Sequence, residues 1–235
     1  MKSRLKINGI IIALAVIIVA FYPGVFLRSP ESDYYNVYAK IFGIAFIIFG
    51  QMLRACGRGY KSEHSQSGHS LIQSGPYALV RNPMYLGIFL VGLGIVLALF
   101  RPWVILIFLV IFIWRYIFLA LQEEKRLLAM FPRDYPGYLQ RVPRILPAFT
   151  AILRKDISDY LPLKVRWLKK EFGPAVAILF FVFILDGWQG VRNMGLKAYM
   201  KDAVLFIATI AIFILLIIYL ISRTHNHQKD ASSKK

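Results

Sequence analysis

The stretch MYLGIFLVGLGIVLALFRPWVILIFLVIFIWRYIFLALQEE, residues 84–124, decides the fold. Two apolar runs, 84–100 and 103–121, are separated only by Arg101-Pro102, so the connection is a tight turn between antiparallel helices. At ~1.5 Å per residue the arms measure roughly 25 and 29 Å, close to a hydrocarbon core of about 30 Å. Both arms therefore return to one interface. Arg81 and Asn82, ahead of the first arm, are expected to approach Glu123 and Glu124, after the second.

Outward from this hairpin, further apolar runs at 7–27, 35–53, 172–189 and 202–222 predict an all-α, polytopic transmembrane helical bundle of about six spans. Mean hydropathy is +0.58 and only 17% of residues are charged, which argues against a soluble domain. The run from Ile10 to Leu27 is long for a signal peptide, and its Ala13-Leu14-Ala15 falls inside the run, so a retained N-terminal span is expected. Of 29 Lys and Arg residues, 22 fall on one side of the spans and five on the other, which places both termini in the cytoplasm. The formal charge of +17 is spread through the gaps between apolar runs rather than gathered in a basic domain, so no nucleic acid partner is expected. Cys56 is the only cysteine, which rules out an intramolecular disulfide and a cysteine-based metal cluster.

Two cytoplasmic loops, 54–83 and 122–171, hold the chemistry, while a polar tail, His225 to Lys235, is expected to lack structure. Gly75-Pro76-Tyr77 marks a turn, and Pro83 suits the first turn of a helix. Arg81 and Asn82 then lie at a helix entrance, where free N–H groups and the dipole favour an anion. Glu123 and Glu124 oppose the dipole if their helix stops there; either the helix continues or the acids hold a cation such as a ligand ammonium. Arg81 and the acid pair together would grip a zwitterion. Arg115, roughly two turns before Glu123, must snorkel, pair or line a polar cavity. His64 and His69 with Glu63 form a weak metal signal, and no metal is expected; His69 is read as a hydrogen-bonding residue.

With His69-Ser70-Leu71-Ile72, Gly75-Pro76-Tyr77, Arg81-Asn82-Pro83-Met84-Tyr85, Glu123-Glu124, and Phe131 through Tyr135 and Tyr138 to Val142-Pro143-Arg144, the chain resembles the isoprenylcysteine carboxyl methyltransferase family, whose pattern phospholipid methyltransferases largely share. The resemblance covers about residues 50–148. It implies a membrane methyltransferase that uses S-adenosylmethionine on a lipophilic small-molecule or lipid-modified acceptor, with the cofactor entering from the cytoplasm and the acceptor from lipid. The residues it matches to cofactor contacts are His69, Ser70, Leu71, Ile72, Tyr77, Asn82, Pro83, Met84, Tyr85 and Glu123. Glu123, Glu124 and Arg81 are the expected catalytic residues and Arg115 the expected acceptor-binding residue. The family often has His at the position of Asn82, and eukaryotic members have an arginine where this chain has Leu119.

On this reading residues 1–53 are anchors, 54–148 the methyltransferase core, and 149–235 a further pair of spans with a tail. Sterol-type membrane reductases look similar around Gly75-Pro76-Tyr77 and Arg81-Asn82-Pro83-Met84-Tyr85 and use NADPH, the rival enzyme reading. A non-enzymatic scaffold or transporter is the third.

Overall fold

A computed structural model of the chain describes residues 18–19, 21–28, 34–65, 70–144 and 160–233. Its helices are α1 (Pro23–Phe26), α2 (Tyr34–His64), α3 (Pro76–Leu79), α4 (Pro83–Leu99), α5 (Pro102–Met130), α6 (Tyr135–Arg141), α7 (Val165–Met194) and α8 (Leu196–Ser233). Tyr35–His64, Pro102–Met130, Val165–Met194 and Tyr199–Tyr219 are long and apolar enough to cross a membrane, and α4 is a shorter apolar helix. Five of the six expected spans coincide with these helices. The first, 7–27, lies mostly outside the described residues.

The seam between α2 and α4 is built from glycines at heptad spacing: Gly43, Gly50 and Gly57 on one helix, Gly87 and Gly94 on the other. A Cβ on Gly50 would fall 2.6 Å from the Gly87 carbonyl oxygen. A Cβ on Gly94 would lie within van der Waals overlap of the Gly43 carbonyl. The two backbones therefore touch directly, the small-residue packing that substitutes for a hydrophobic driving force in lipid. Where the seam ends, Gly57 faces Pro83 and Met84, which brings the entrance of α4 against α2.

The core joins α2, α4, α7 and α8 through Ile44, Ile47, Leu99, Val182 and Phe206. Within it, Lys40 of α2 pairs with Asp186 of α7 at 2.9 Å, so two ionisable side chains in apolar helices satisfy one another. By contrast α5 turns most of its surface outward, with Val110 71% and Trp114 78% exposed, as suits a lipid-facing arm.

Three expectations need correction. Residues 54–64, read as loop, extend α2 by three turns. Tertiary partners hold this extension: Glu171 of α7 meets Arg54 and Arg58, and Glu63 accepts hydrogen bonds from Lys164, Arg166 and the Trp167 indole. The loop read at 122–171 instead contains the end of α5, α6 and the start of α7. The tail is helical to Ser233, because no Gly or Pro interrupts the sequence after Gly195.

Candidate active site

The site begins with a turn. Gly75 has φ +60°, a left-handed conformation open to glycine, and a Cβ there would meet the Tyr60 ring at 2.6 Å. Tyr60, on the extended part of α2, stacks on His64 and hydrogen-bonds the Ser74 hydroxyl at 2.8 Å. The extension is thus the seat of the Gly75-Pro76-Tyr77 turn. Tyr77 then reaches back to donate its hydroxyl to the Gly57 carbonyl at 3.2 Å, and Tyr138 of α6 donates to the Tyr77 carbonyl at 2.8 Å. Burial, then the charge of Glu123, holds the Tyr77 phenol well above its ordinary value, so it remains a donor.

Arg81 closes the other side. Its Nε donates to the Val142 carbonyl at 2.7 Å, its Nη2 to the Leu139 carbonyl at 2.5 Å and its Nη1 to Glu124 Oε1 at 2.9 Å. Arg144 grips the same carboxylate with both of its forks, at 2.9 and 2.7 Å. Tyr135, buried beneath, has its phenol pushed up to about 12 by burial and then by the Glu124 charge. The four residues Arg81, Glu124, Tyr135 and Arg144 join the entrance of α4, the far end of α5 and the segment after α6.

The acids Glu123 and Glu124 do not act as a pair, because successive helical residues diverge by about 100° around the axis. Glu124 faces α6 and its arginines, whereas Glu123 faces a cavity of about 260 Å³ and forms no hydrogen bond or ion pair among the described residues. Since α5 runs on to Met130, neither acid lies at a helix end and the dipole objection disappears. Lys61 of α2 and Arg126 of α5 line the same cavity. An unpaired carboxylate and two cations around one space suit a zwitterion, the carboxylate facing its ammonium and the cations its carboxylate.

The structure brings together nine of the ten sequence-predicted cofactor residues. Ser70, Leu71 and Ile72 form one side of the cavity; Tyr77 and Asn82 to Tyr85 form a second; Glu123 forms a third. His69 lies outside the described residues. The Asn82 side chain makes no capping bond to α4, so its amide is available to the cavity. Arg81 lines the cavity too, but its guanidinium is committed to Glu124 and two carbonyls, so the expected cation for a carboxylate is replaced by Lys61 and Arg126. Arg115 is not brought to the cavity: it lies on the exposed face of α5, eight residues and about 80° around the helix from Glu123.

Sequence reasoning missed Lys61, Ser65, Arg126, Leu127 and Met130, all of which line the cavity. The last three follow Glu123 at helical spacing, a signal available once α5 is continued beyond the acids. The first two required the extension of α2.

The phospholipid methyltransferase family model matches residues 38–134, from α2 to the end of the turn after α5. The protein-S-isoprenylcysteine O-methyltransferase of Xenopus laevis is 30% identical over 118 residues, which cover 46% of this chain and 40% of the relative. The B enzyme of that name from Arabidopsis thaliana is 32% identical over 119 residues, 45% of this chain and 58% of the relative. The Saccharomyces cerevisiae protein of that name is 30% identical over 111 residues, 43% and 46% of the two chains. The chain spans about half the length of the curated relatives it matches. No solved structure matches it at a significant level. The resemblance read from the motifs therefore recurs in both comparisons that gave a match, over the segment holding the hairpin and both acids.

Proposed function

We propose that the chain is an integral membrane methyltransferase that uses S-adenosylmethionine to methylate a lipophilic acceptor, of the isoprenylcysteine-carboxylate or lipid-amine kind. The observation that carries this reading is Glu123, without an ion-pair or hydrogen-bond partner among the described residues, in a cavity it shares with Lys61 and Arg126 at one end of a membrane hairpin. The donor set fits the amino-acid part of the cofactor: Glu123 accepts from the ammonium, and Lys61 and Arg126 receive the carboxylate. When bound, the cofactor supplies a methyl group already activated on a positively charged sulfur, so the protein needs no covalent nucleophile. Tyr77, Asn82 and Tyr85 orient from the α4 side, while Met84 and Leu71 exclude water.

Arg81 and Glu124 act in this scheme as positioning residues, fixing the distance between the α4 entrance and α5. The acceptor approaches from lipid along the α4–α5 cleft, where Tyr85 and Tyr116 meet edge to face, with ring centroids 6.0 Å apart. The cavity end faces the cytoplasm, in keeping with the excess of Lys and Arg on that side. Relatives named as isoprenylcysteine O-methyltransferases support a lipid-modified acceptor. NADPH, with its three phosphates, fits less well, because the Glu123 carboxylate among the cations repels it.

Calorimetry with S-adenosylhomocysteine on detergent-purified wild type and Glu123→Ala tests the reading. Binding by wild type that is lost in the variant supports it. Folded wild type that ignores S-adenosylhomocysteine and binds NADPH would overturn it.

A further inference from the structure

At the opposite end of the hairpin lies a second cavity of about 260 Å³, lined by Arg28, Arg101 and Arg192 together with Trp188, Gln189 and Asn193. It is remote from the first: Arg101 occupies the α4–α5 turn, and α4 is 17 residues, or roughly 25 Å, long. Arg28 and Arg101 also have a structural duty. Backbone bonds run from Arg28 N to the Leu99 carbonyl and from Arg101 N to the Phe26 carbonyl, and Arg28 Nε and Nη2 both donate to the Phe100 carbonyl. Arg101 Nε donates to the Leu27 carbonyl at 3.3 Å.

Those bonds leave much of the charge unanswered. Arg28 is only 7% exposed and its guanidinium lies over the Tyr35 ring, 5.0 Å from the centroid, yet its Nη1 has no hydrogen-bond partner among the described residues, an expensive state for a buried charged group. Arg101 has both terminal nitrogens free of bonds among the described residues, and Arg192 is held only by its stacking on Trp188, 5.7 Å from the ring centroid. No acid among the described residues lines the cavity. Stitching two chain segments together does not by itself require three guanidiniums around one cavity.

We propose that this cavity binds a phosphate-bearing anion at the membrane face opposite the cofactor cavity. Guanidinium forks match phosphate oxygens, and Gln189 and Asn193 add neutral donors at the rim. The phosphate belongs either to a phospholipid headgroup, with acyl chains lying along the outward surface of α7, or to a soluble phosphate.

The test is thermal unfolding of the full-length chain in neutral detergent with short-chain phosphatidylglycerol, short-chain phosphatidylcholine or inorganic phosphate. The expected result is a saturable rise in Tm of roughly 2–4 °C with the anionic lipid, with an apparent affinity about tenfold weaker in Arg192→Gln. Arg133→Gln, at the other end of the molecule, keeps the full shift. An equal, Arg192-dependent shift with inorganic phosphate alone supports the site and assigns it to a soluble anion. No saturable shift with either, or the same loss in Arg133→Gln, overturns the proposal. Because S-adenosylhomocysteine is absent throughout, failure here leaves the methyltransferase reading standing, and the reverse holds too.

Discussion

Arg81 and Glu124, 43 residues apart in sequence, meet at 2.9 Å and bind the entrance of α4 to the cavity end of α5. Glu124, 11% exposed at its side chain, is also the only acid partner of Arg144 among the described residues. Its neighbour Glu123 has neither attachment, so the two acids should separate cleanly under mutation. Glu124→Ala leaves two guanidiniums without their carboxylate and is expected to cost about 3 kcal/mol. Glu123→Gln should leave stability within about 0.5 kcal/mol of wild type while weakening S-adenosylhomocysteine about tenfold or more. Denaturation midpoints and calorimetry on both variants check the contrast; equal stability losses would make Glu123 structural.

Lys61 and Arg126 face the carboxylate end of the proposed ligand from two different helices. Replacing either with Ala is expected to weaken S-adenosylhomocysteine by roughly tenfold, with less loss at high salt as screening reduces what each charge contributes. Titrations at two ionic strengths would show this, and a salt-independent loss would point to packing.

The glycine seam makes a stability prediction with an internal control. Gly50→Ala must push α2 and α4 apart and should cost roughly 1–3 kcal/mol, with activity falling alongside. Gly137→Ala in α6 has nothing within 4 Å and ordinary helical φ, so it should be neutral or slightly stabilising, by about 0.5 kcal/mol. Paired unfolding curves in one detergent decide it.

Tyr138→Phe removes the donor to the Tyr77 carbonyl without changing the ring. A loss of about 1 kcal/mol is expected, together with weaker cofactor binding, since the turn that presents Tyr77 loses its outer clamp. Preserved binding with lowered stability would place Tyr138 in the fold alone.

Much of this site could be read from the chain because one two-residue turn set the geometry. Arg101-Pro102 forces the arms to run back together, and that alone brings Arg81 near Glu124. The roles within the cluster were harder to read. Adjacent Glu123 and Glu124 look like a pair in one dimension, but a helix turns them to different neighbours. Lys61 was hidden for another reason: residues 54–64 carry too many charges and glycines to announce a helix, and their helicity depends on Glu171, Lys164 and Trp167 more than a hundred residues away. Local periodicity carries no trace of such partners. Depth alone does not fix a side chain's direction: Arg115, near the same end of α5, lies on its exposed face and not in the cavity.

The α2–α4 seam has a mechanical consequence for the cavity beside it. Backbones in contact over two heptads cannot slide or spread without breaking that contact, so one wall of the chamber is rigid. The facing wall, α5, is joined to α4 by aromatic rings and to the α4 entrance by the Arg81–Glu124 bond. Arg81 and Tyr138 tie α6 to that stationary frame as well, so any widening of the chamber is borne by α5, and the Arg81–Glu124 bond is the latch on that door.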